Sequence, residues 1–166
     1  MKTYEFSIIA SGLDHEAADF EQRFLDAGCD DATLTIQKGR IVIYFDRDAE
    51  SMEAAVDSAL AAVEAAGAVA ERVEPDPLVT LSDIAERAGL TRQAVSQYAS
   101  GVRGETFPGP VARVTSQRPL WDWVDVAHWL VSRGLLTVDD AQEAEVIRRA
   151  NEQLADRHSA QLVAAV

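Results

Sequence analysis

Several residue types and patterns are scarce in this 166-residue chain. Its one cysteine, Cys29, excludes an internal disulfide, and three scattered histidines argue against a zinc cluster. No apolar run approaches the roughly 18–20 residues of a membrane span. The N-terminal stretch MKTYEFSIIASGLDHEAADF lacks the pattern of a signal peptide. We therefore expect a cytoplasmic protein with no metal and no membrane partner.

Recognisable catalytic chemistry is also missing from the sequence. An enzyme needs a nucleophile with its base, a cleft with paired carboxylates, or a metal cluster. His15, His128 and His158 lie in predicted helices without a motif, and Cys29 follows a helix end, so nothing predicts a lowered thiol pKa. We expect neither an enzyme nor a cofactor.

Charge is distributed unevenly along the chain. The net charge of −13 argues against a generic nucleic-acid coat. Residues 1–78 hold 6 Lys/Arg and 17 Asp/Glu, a net charge of −11, whereas residues 79–166 hold 9 and 11, a net charge of −2. From residue 79 onward every cation is arginine, which suits bidentate contacts to phosphate or guanine. Residues 87–118 carry a net charge of +4, from Arg87, Arg92, Arg103, Arg113 and Arg118 against Glu105.

Residues 80–103, TLSDIAERAGLTRQAVSQYASGVR, predict two helices joined by a tight turn. Thr80 and Asp83 form a capping box for the first helix, and Gly89 supplies a left-handed turn. The second helix exposes, near its start, polar side chains that can hydrogen-bond base edges in a major groove. The alternative is an ordinary helical hairpin in a core. The predicted DNA-binding residues of this segment are Thr91, Arg92, Gln93, Ser96, Gln97 and Arg103.

The next segment, GETFPGPVARVTSQRPL, predicts a short β-ribbon, or wing. Pro108 and Pro110 exclude a helix there. Val111–Val114 can then pair with Pro119–Trp121 around a turn at residues 115–118. Such a wing contacts phosphate or the minor groove. These contacts fix the position of the protein on the DNA more than they specify sequence. The wing residues predicted to bind DNA are Arg113, Ser116, Gln117 and Arg118.

A third helix is predicted after the wing, capped by Asp122 and ended by Gly134. Trp121, Trp123 and Trp129 are expected in the core of this domain rather than on a base-stacking platform. The segments Phe-Pro-Gly-Pro-Val and Trp-Asp-Trp-Val-Asp-Val-Ala-His-Trp-Leu flank the wing, and with them residues 78–133 resemble small winged-helix regulators of the excisionase, AlpA and MerR type. The resemblance implies a winged helix-turn-helix that binds double-stranded DNA, without indicating an operator.

Residues 1–74 predict strands and helices in the order β-α-β-β-α-β, which is the order of a ferredoxin-like sandwich with both helices on one sheet face. The predicted strands are Thr3–Ala10, Ala32–Gln37, Arg40–Asp46 and Ala68–Glu74, and the predicted helices are His15–Ala27, capped by Asp14, and Ala49–Ala66. Asp30 and Asp31 are expected in a solvated turn. Residues 75–78 are expected to form a linker.

One face of this sheet is predicted to lie opposite the helices. The strand residues expected to face the helices are Phe6, Ile8, Leu34 and Ile36. Ile9, Val42 and Tyr44 then point the other way and form a predicted partner surface. Its occupant could be a second copy of the domain, the winged helix or a small ligand. A sparsely apolar face open to solvent is the alternative.

The C-terminal residues predict a helix from the capping box at Thr137 and Asp140 to about Val163. Its apolar stripe comprises Ala144, Ile147, Ala150, Leu154 and Leu162, interrupted by Asn151 and His158. The stripe is too short and too polar for a coiled coil, so we expect packing on its own domain or modest dimer contacts.

Together these patterns predict an α+β chain. Its expected parts are an acidic ferredoxin-like domain at 1–74, a linker, a winged helix-turn-helix at 79–134 and a C-terminal helix at 135–166. The predicted function is sequence-specific DNA binding in transcription regulation, as a homodimer. The alternatives are an antitoxin or adaptor module whose acidic N-terminal domain binds a protein partner, and a small-molecule sensor.

Overall fold

A computed structural model describes residues 1–102 and 106–165 and has a mixed α+β architecture. The chain divides into two compact units, Met1–Pro75 with Val146–Val166, and Asp76–Glu145. The strands are β1 (Lys2–Ser11), β2 (Ala32–Gln37), β3 (Arg40–Ala49), β4 (Val69–Glu74), β5 (Leu78–Val79) and β6 (Trp121–Asp122). The helices are α1 (Phe20–Asp26), α2 (Met52–Ala65), α3 (Leu81–Ala88), α4 (Arg92–Ser100), α5 (Trp123–Ser132) and α6 (Val138–Ala164).

The first unit is built on an antiparallel sheet with the strand order β2-β3-β1-β4. Ile8 pairs with Ile43, which pairs in turn with Leu34, so these three side chains share one face. That face packs with apolar residues of α1, α2 and the second half of α6. Alternation of apolar and polar residues along the strands therefore assigns one face to the core, as the sequence predicts.

Residues of α6 complete this core. Ile147, Ala150 and Leu154 are buried in it, which confirms the inner part of the predicted stripe. Leu162, at 72% exposure, is not part of the core. Asn151, which the sequence indicates as an interruption of the stripe, is buried with its neighbours. The buried face of the helix is therefore not purely apolar.

The second unit surrounds the three tryptophans, all of which are buried as predicted. Trp129 lies at its aromatic centre, since the rings of Tyr98 and Phe107 each approach it edge-on with centroids 5.0 Å away. The indole Nε1 of Trp121 donates to the carbonyl of Pro108 at 2.9 Å. This bond satisfies a buried donor and ties the segment before the wing to β6.

Helix α1 is shorter than the sequence predicts. It begins at Phe20, not His15, and Asp14 caps a turn through the backbone N–H of Glu16 rather than a helix. Residues 15–19 carry no large apolar side chain, whereas Phe20 and Phe24 enter the core. Because most helical stability in proteins comes from packing an apolar face, the helix forms only where the two phenylalanines provide one.

The wing is also smaller than the predicted ribbon. Its pairing is limited to an isolated antiparallel bridge between Ala112 and Leu120. Trp121, expected in the same ribbon, pairs instead with Val79. Pro110 lacks the N–H that the next hydrogen-bonded pair would need on one side of the bridge, and Arg113 leaves the strand conformation on the other side, with φ of 52°.

Asp30 and Asp31 lie in a turn as expected, and Asp30 is exposed, but the Asp31 side chain is paired rather than solvated. Its carboxylate accepts from Arg47 Nε at 2.7 Å and Nη2 at 2.9 Å, and the same Nη2 donates to the Gly28 carbonyl. This bidentate pair joins the end of β3 to the turn before β2. Cys29 is buried beside it, and burial raises the pKa of the thiol.

Among the helices of the described ranges, none combines the length and the apolar content that crossing a lipid bilayer requires.

Candidate nucleic-acid interface

Local capping signals set the geometry of helices α3 and α4. Thr80 Oγ1 accepts from Asp83 N at 3.2 Å while Asp83 Oδ2 accepts from Thr80 N at 2.9 Å, which closes the capping box. Gly89 ends α3 in the left-handed region, with φ of 65°. Thr91 Oγ1 then caps α4 by accepting from Ala94 N at 3.1 Å. The chain thus reverses between two short helices, as the sequence predicts.

Arg92, the first residue of α4, joins the starts of the two helices. Its Nε donates to Ser82 Oγ on α3 at 3.1 Å, and its Nη1 donates to Ser96 Oγ one turn further along α4. Arg92 and Ser82 are both exposed. The guanidinium is therefore held by two hydroxyls at the protein surface.

The remaining predicted residues of this segment differ in accessibility. Gln93 is exposed, while Ser96 and Gln97 are half-buried beside the fully buried Val95. Arg103 lies outside the described residues. Arg92 and Gln93 are thus the exposed ones among the predicted DNA-binding residues of α4.

The wing residues lie in a tight turn after the Ala112 bridge. Arg113 adopts a positive φ of 52°, and its carbonyl accepts from Ser116 N at 2.9 Å. Ser116 Oγ in turn accepts from Arg118 N at 3.1 Å. These bonds fix the turn and leave Arg113, Gln117 and Arg118 exposed at the surface.

A groove of about 340 Å³ in the second unit brings residues of α3, α4 and the wing together. Ser82 and Arg92 line it from the helices, and Gln117 and Arg118 line it from the wing, with Trp121 beside them. Two arginines that lie 26 residues apart in the sequence therefore line one concavity. Such an arrangement favours an anionic ligand.

Arg87 lies in the basic segment, but its side chain contacts other parts of the second unit. Its guanidinium stacks over the Trp123 ring at 5.3 Å, and its Nη2 donates to the Asp76 carbonyl at 2.9 Å. The sequence counts Arg87 only in the charge of the basic segment and gives no sign of this stacking. The contact depends on Trp123 of α5, which lies 36 residues further along the chain.

The predicted partner surface lies on the sheet face away from the core. Val42 pairs with Ile9 and Thr35 and is itself only 6% exposed. Tyr44 is 45% exposed, and its hydroxyl accepts from Gln37 Nε2 at 2.9 Å. Three carboxylates, Glu5, Asp46 and Glu74, line a groove with Tyr44. The groove beside Tyr44 is therefore acidic, and the surface is not broadly apolar.

Other chemistry-bearing residues serve local contacts. His128 Nε2 lies 2.6 Å from Glu145 Oε1, and His158 Nδ1 lies 3.6 Å from Glu71 Oε2. Across the part of the chain that the structure describes, no three His, Cys, Asp or Glu side chains cluster as metal ligands would.

No family model matches the chain, and comparison with curated proteins and with solved structures finds no significant match. Function is therefore inferred from the site alone.

Proposed function

We propose that the protein is a sequence-specific DNA-binding transcriptional regulator whose second unit is a winged helix-turn-helix. The observation that carries this proposal is the groove that Arg92 of α4 shares with Gln117 and Arg118 of the wing. In this arrangement α4 enters the major groove and the wing contacts the adjacent backbone.

The local charge supports this orientation. No Asp or Glu occurs in residues 87–102 and 106–121. These ranges contain the end of α3, the turn, α4 and the wing. The rest of the chain brings the total to −13, which lowers general attraction to DNA. Binding then depends on the contacts that this one surface makes, and this favours selective over indiscriminate association.

We further propose that the first unit is a ferredoxin-like sandwich that mediates homodimerisation or binds a partner. Its strand order β2-β3-β1-β4, with α1 and α2 packed in one core, supports that fold. One α4 helix reads only a few base pairs. Two copies spaced about one helical turn of DNA apart would multiply the specificity.

Selection of bound duplexes from a random pool tests DNA binding and half-site symmetry together. We expect a two-fold-related motif, and the selected duplex is then compared with a scrambled one by fluorescence anisotropy. Gln93→Ala should lower the preference for the selected duplex about 5- to 150-fold, since a lost base contact costs about 1–3 kcal/mol. Gln153→Ala, an exposed substitution of the same kind on α6, is the matched control. A pool without enrichment would contradict the proposed function.

A second candidate, an adaptor or antitoxin-type module, is favoured by the carboxylates around Tyr44, because an acidic groove suits a basic protein partner. The double substitution Glu5→Gln and Asp46→Gln would weaken the binding of such a partner. It would leave DNA binding unchanged.

A further inference from the structure

We propose that Arg92 binds a phosphate of the DNA backbone rather than a base edge, and that Ser82 and Ser96 position its guanidinium for that contact. This role rests on the proposed DNA-binding function. It identifies the ligand of the groove that Arg92 and Arg118 share as a phosphate.

The orientation of Arg92 supports a phosphate ligand. Reading guanine requires a guanidinium that extends to present two aligned N–H groups to O6 and N7 of one base. Here Nε already donates to Ser82 Oγ at 3.1 Å, and Nη1 donates to Ser96 Oγ, so the side chain is held against the protein. A guanidinium has five N–H groups, so further donors remain for a phosphate oxygen, which accepts from many directions.

The same groove is lined by a second cationic residue. Arg118 lines the same concavity of about 340 Å³ from the wing, and Gln117 adds an amide. Two arginines that line one concavity match a phosphate group better than a neutral base, because an anion between them lowers the repulsion between the two positive charges. Contacts of this kind hold the register of a protein on DNA without specifying sequence.

The N-terminus of α3 is not part of the proposed phosphate site. Its first turn contains the carboxylate of Asp83, which accepts from the backbone N–H of Thr80. A carboxylate at that position opposes a second anion through like-charge repulsion. The proposed phosphate site is therefore made by the side chains of Arg92, Arg118 and Gln117, with Ser82 and Ser96 as positioning residues.

The test compares four full-length variants on the selected duplex and on a scrambled duplex, over a series of salt concentrations. Arg92→Ala should weaken binding to both duplexes alike, roughly tenfold, and reduce the salt slope by about one unit. Arg92→Lys should keep most of the slope, because a phosphate contact needs the charge more than the planar fork. Ser82→Ala with Ser96→Ala should weaken both duplexes less than Arg92→Ala and leave the slope near that of the wild type. Gln93→Ala is the contrast, since it should change the preference and not the slope.

The outcomes separate this proposal from the function on which it rests. If the wild type binds DNA selectively but Arg92→Ala lowers the preference with an unchanged slope, Arg92 reads a base and the phosphate assignment is wrong. Unchanged binding by Arg92→Ala overturns it as well. If the wild type binds no DNA, both proposals fail together.

A free anion is the other source of the same chemistry. Inorganic phosphate should displace the duplex no better than sodium chloride of equal ionic strength. Displacement well beyond that of chloride would assign the groove to a small anion and overturn the proposal.

Discussion

The side chain of Asn151 makes both hydrogen bonds of a β-strand partner with the backbone of Val73. Val73 N donates to Asn151 Oδ1 at 2.7 Å, and Asn151 Nδ2 donates to the Val73 carbonyl at 2.9 Å. Val73 is fully buried on β4, the last strand of the sheet order β2-β3-β1-β4. The carboxamide thus satisfies two main-chain groups that an edge strand would leave unpaired. A buried Asn on α6 therefore protects a sheet edge.

Replacing Asn151 by Ala should destabilise the protein by about 2–4 kcal/mol, because a buried N–H and a buried C=O both lose their partner. The free energy of unfolding in urea, followed by circular dichroism, measures this change. Gln153→Ala on the exposed side of the same helix should have an effect within about 0.5 kcal/mol. Equal stability of the two variants would show that water replaces the carboxamide without cost.

Asp31 should contribute to stability in a pH-dependent way. The hydrogen bonds from Arg47 hold the pKa of the Asp31 carboxyl below its usual value near 3.8, and they outweigh the opposing effect of burial. A carboxyl whose pKa is depressed in the folded state stabilises the fold above its unfolded pKa, and that stability is lost as pH falls through the folded pKa.

Asp31→Asn should therefore be less stable than the wild type by about 1–3 kcal/mol at pH 7, and the difference should narrow as pH falls below about 4. Urea unfolding at a series of pH values from 7 to 2.5 tests both statements. Asp30→Asn removes the same charge from the exposed neighbour and serves as the control. A difference that is constant with pH would mean that the loss comes from packing rather than from ionisation.

Arg118→Ala should weaken binding to all duplexes alike and reduce the salt slope by about one unit, because a wing arginine neutralises a phosphate. Anisotropy titrations at several salt concentrations supply the slope. Arg23→Ala removes an equal charge from α1 in the first unit and should leave the slope unchanged. A change of sequence preference in Arg118→Ala would instead place this residue on base edges.

Tyr44→Asp should convert the proposed dimer into a folded monomer, since it adds a charge at the most exposed ring of the predicted partner surface. Light scattering should find twice the 18.0 kDa chain mass for the wild type and one chain mass for the variant. Val42 is a poorer target, because it is already buried within one chain. A wild type of one chain mass at micromolar concentration would exclude a stable dimer, and a dimer that survives Tyr44→Asp would move the interface elsewhere.

Features specified by near neighbours in sequence were predictable. Strand β2 has the expected bounds, Ala32–Gln37, and the capping boxes at Thr80 and Thr137 form as expected. Each of these features depends on groups within a few residues of one another. The local sequence pattern is therefore enough to predict it. Helix α1 was mispredicted because its extent depends on which residues find a core to pack against, and that partner is distant in sequence.

For the candidate site, the sequence indicated which residues are polar, basic and close to a helix start, and it placed them on α4 and the wing. It predicted Arg92 and not Arg87 for DNA contact, but it did not show that Arg87 stacks on Trp123 or that Arg92 borders a groove. Nor did it show that Ser82 and Ser96 hold the Arg92 guanidinium. These distinctions depend on which side chains the folded chain brings within about 3–5 Å of each guanidinium.

By itself, the sequence determined the order of most elements, the two-faced sheet and the buried tryptophans, because alternation, capping and proline act locally along the chain. Only the tertiary structure decided that Asn151 completes the edge of β4, that Arg47 binds Asp31, and that Arg92 and Arg118 border one groove. The physical reason is that a polar side chain encodes only its capacity to donate, to accept or to carry charge. Its partner is set by packing between segments far apart in the chain.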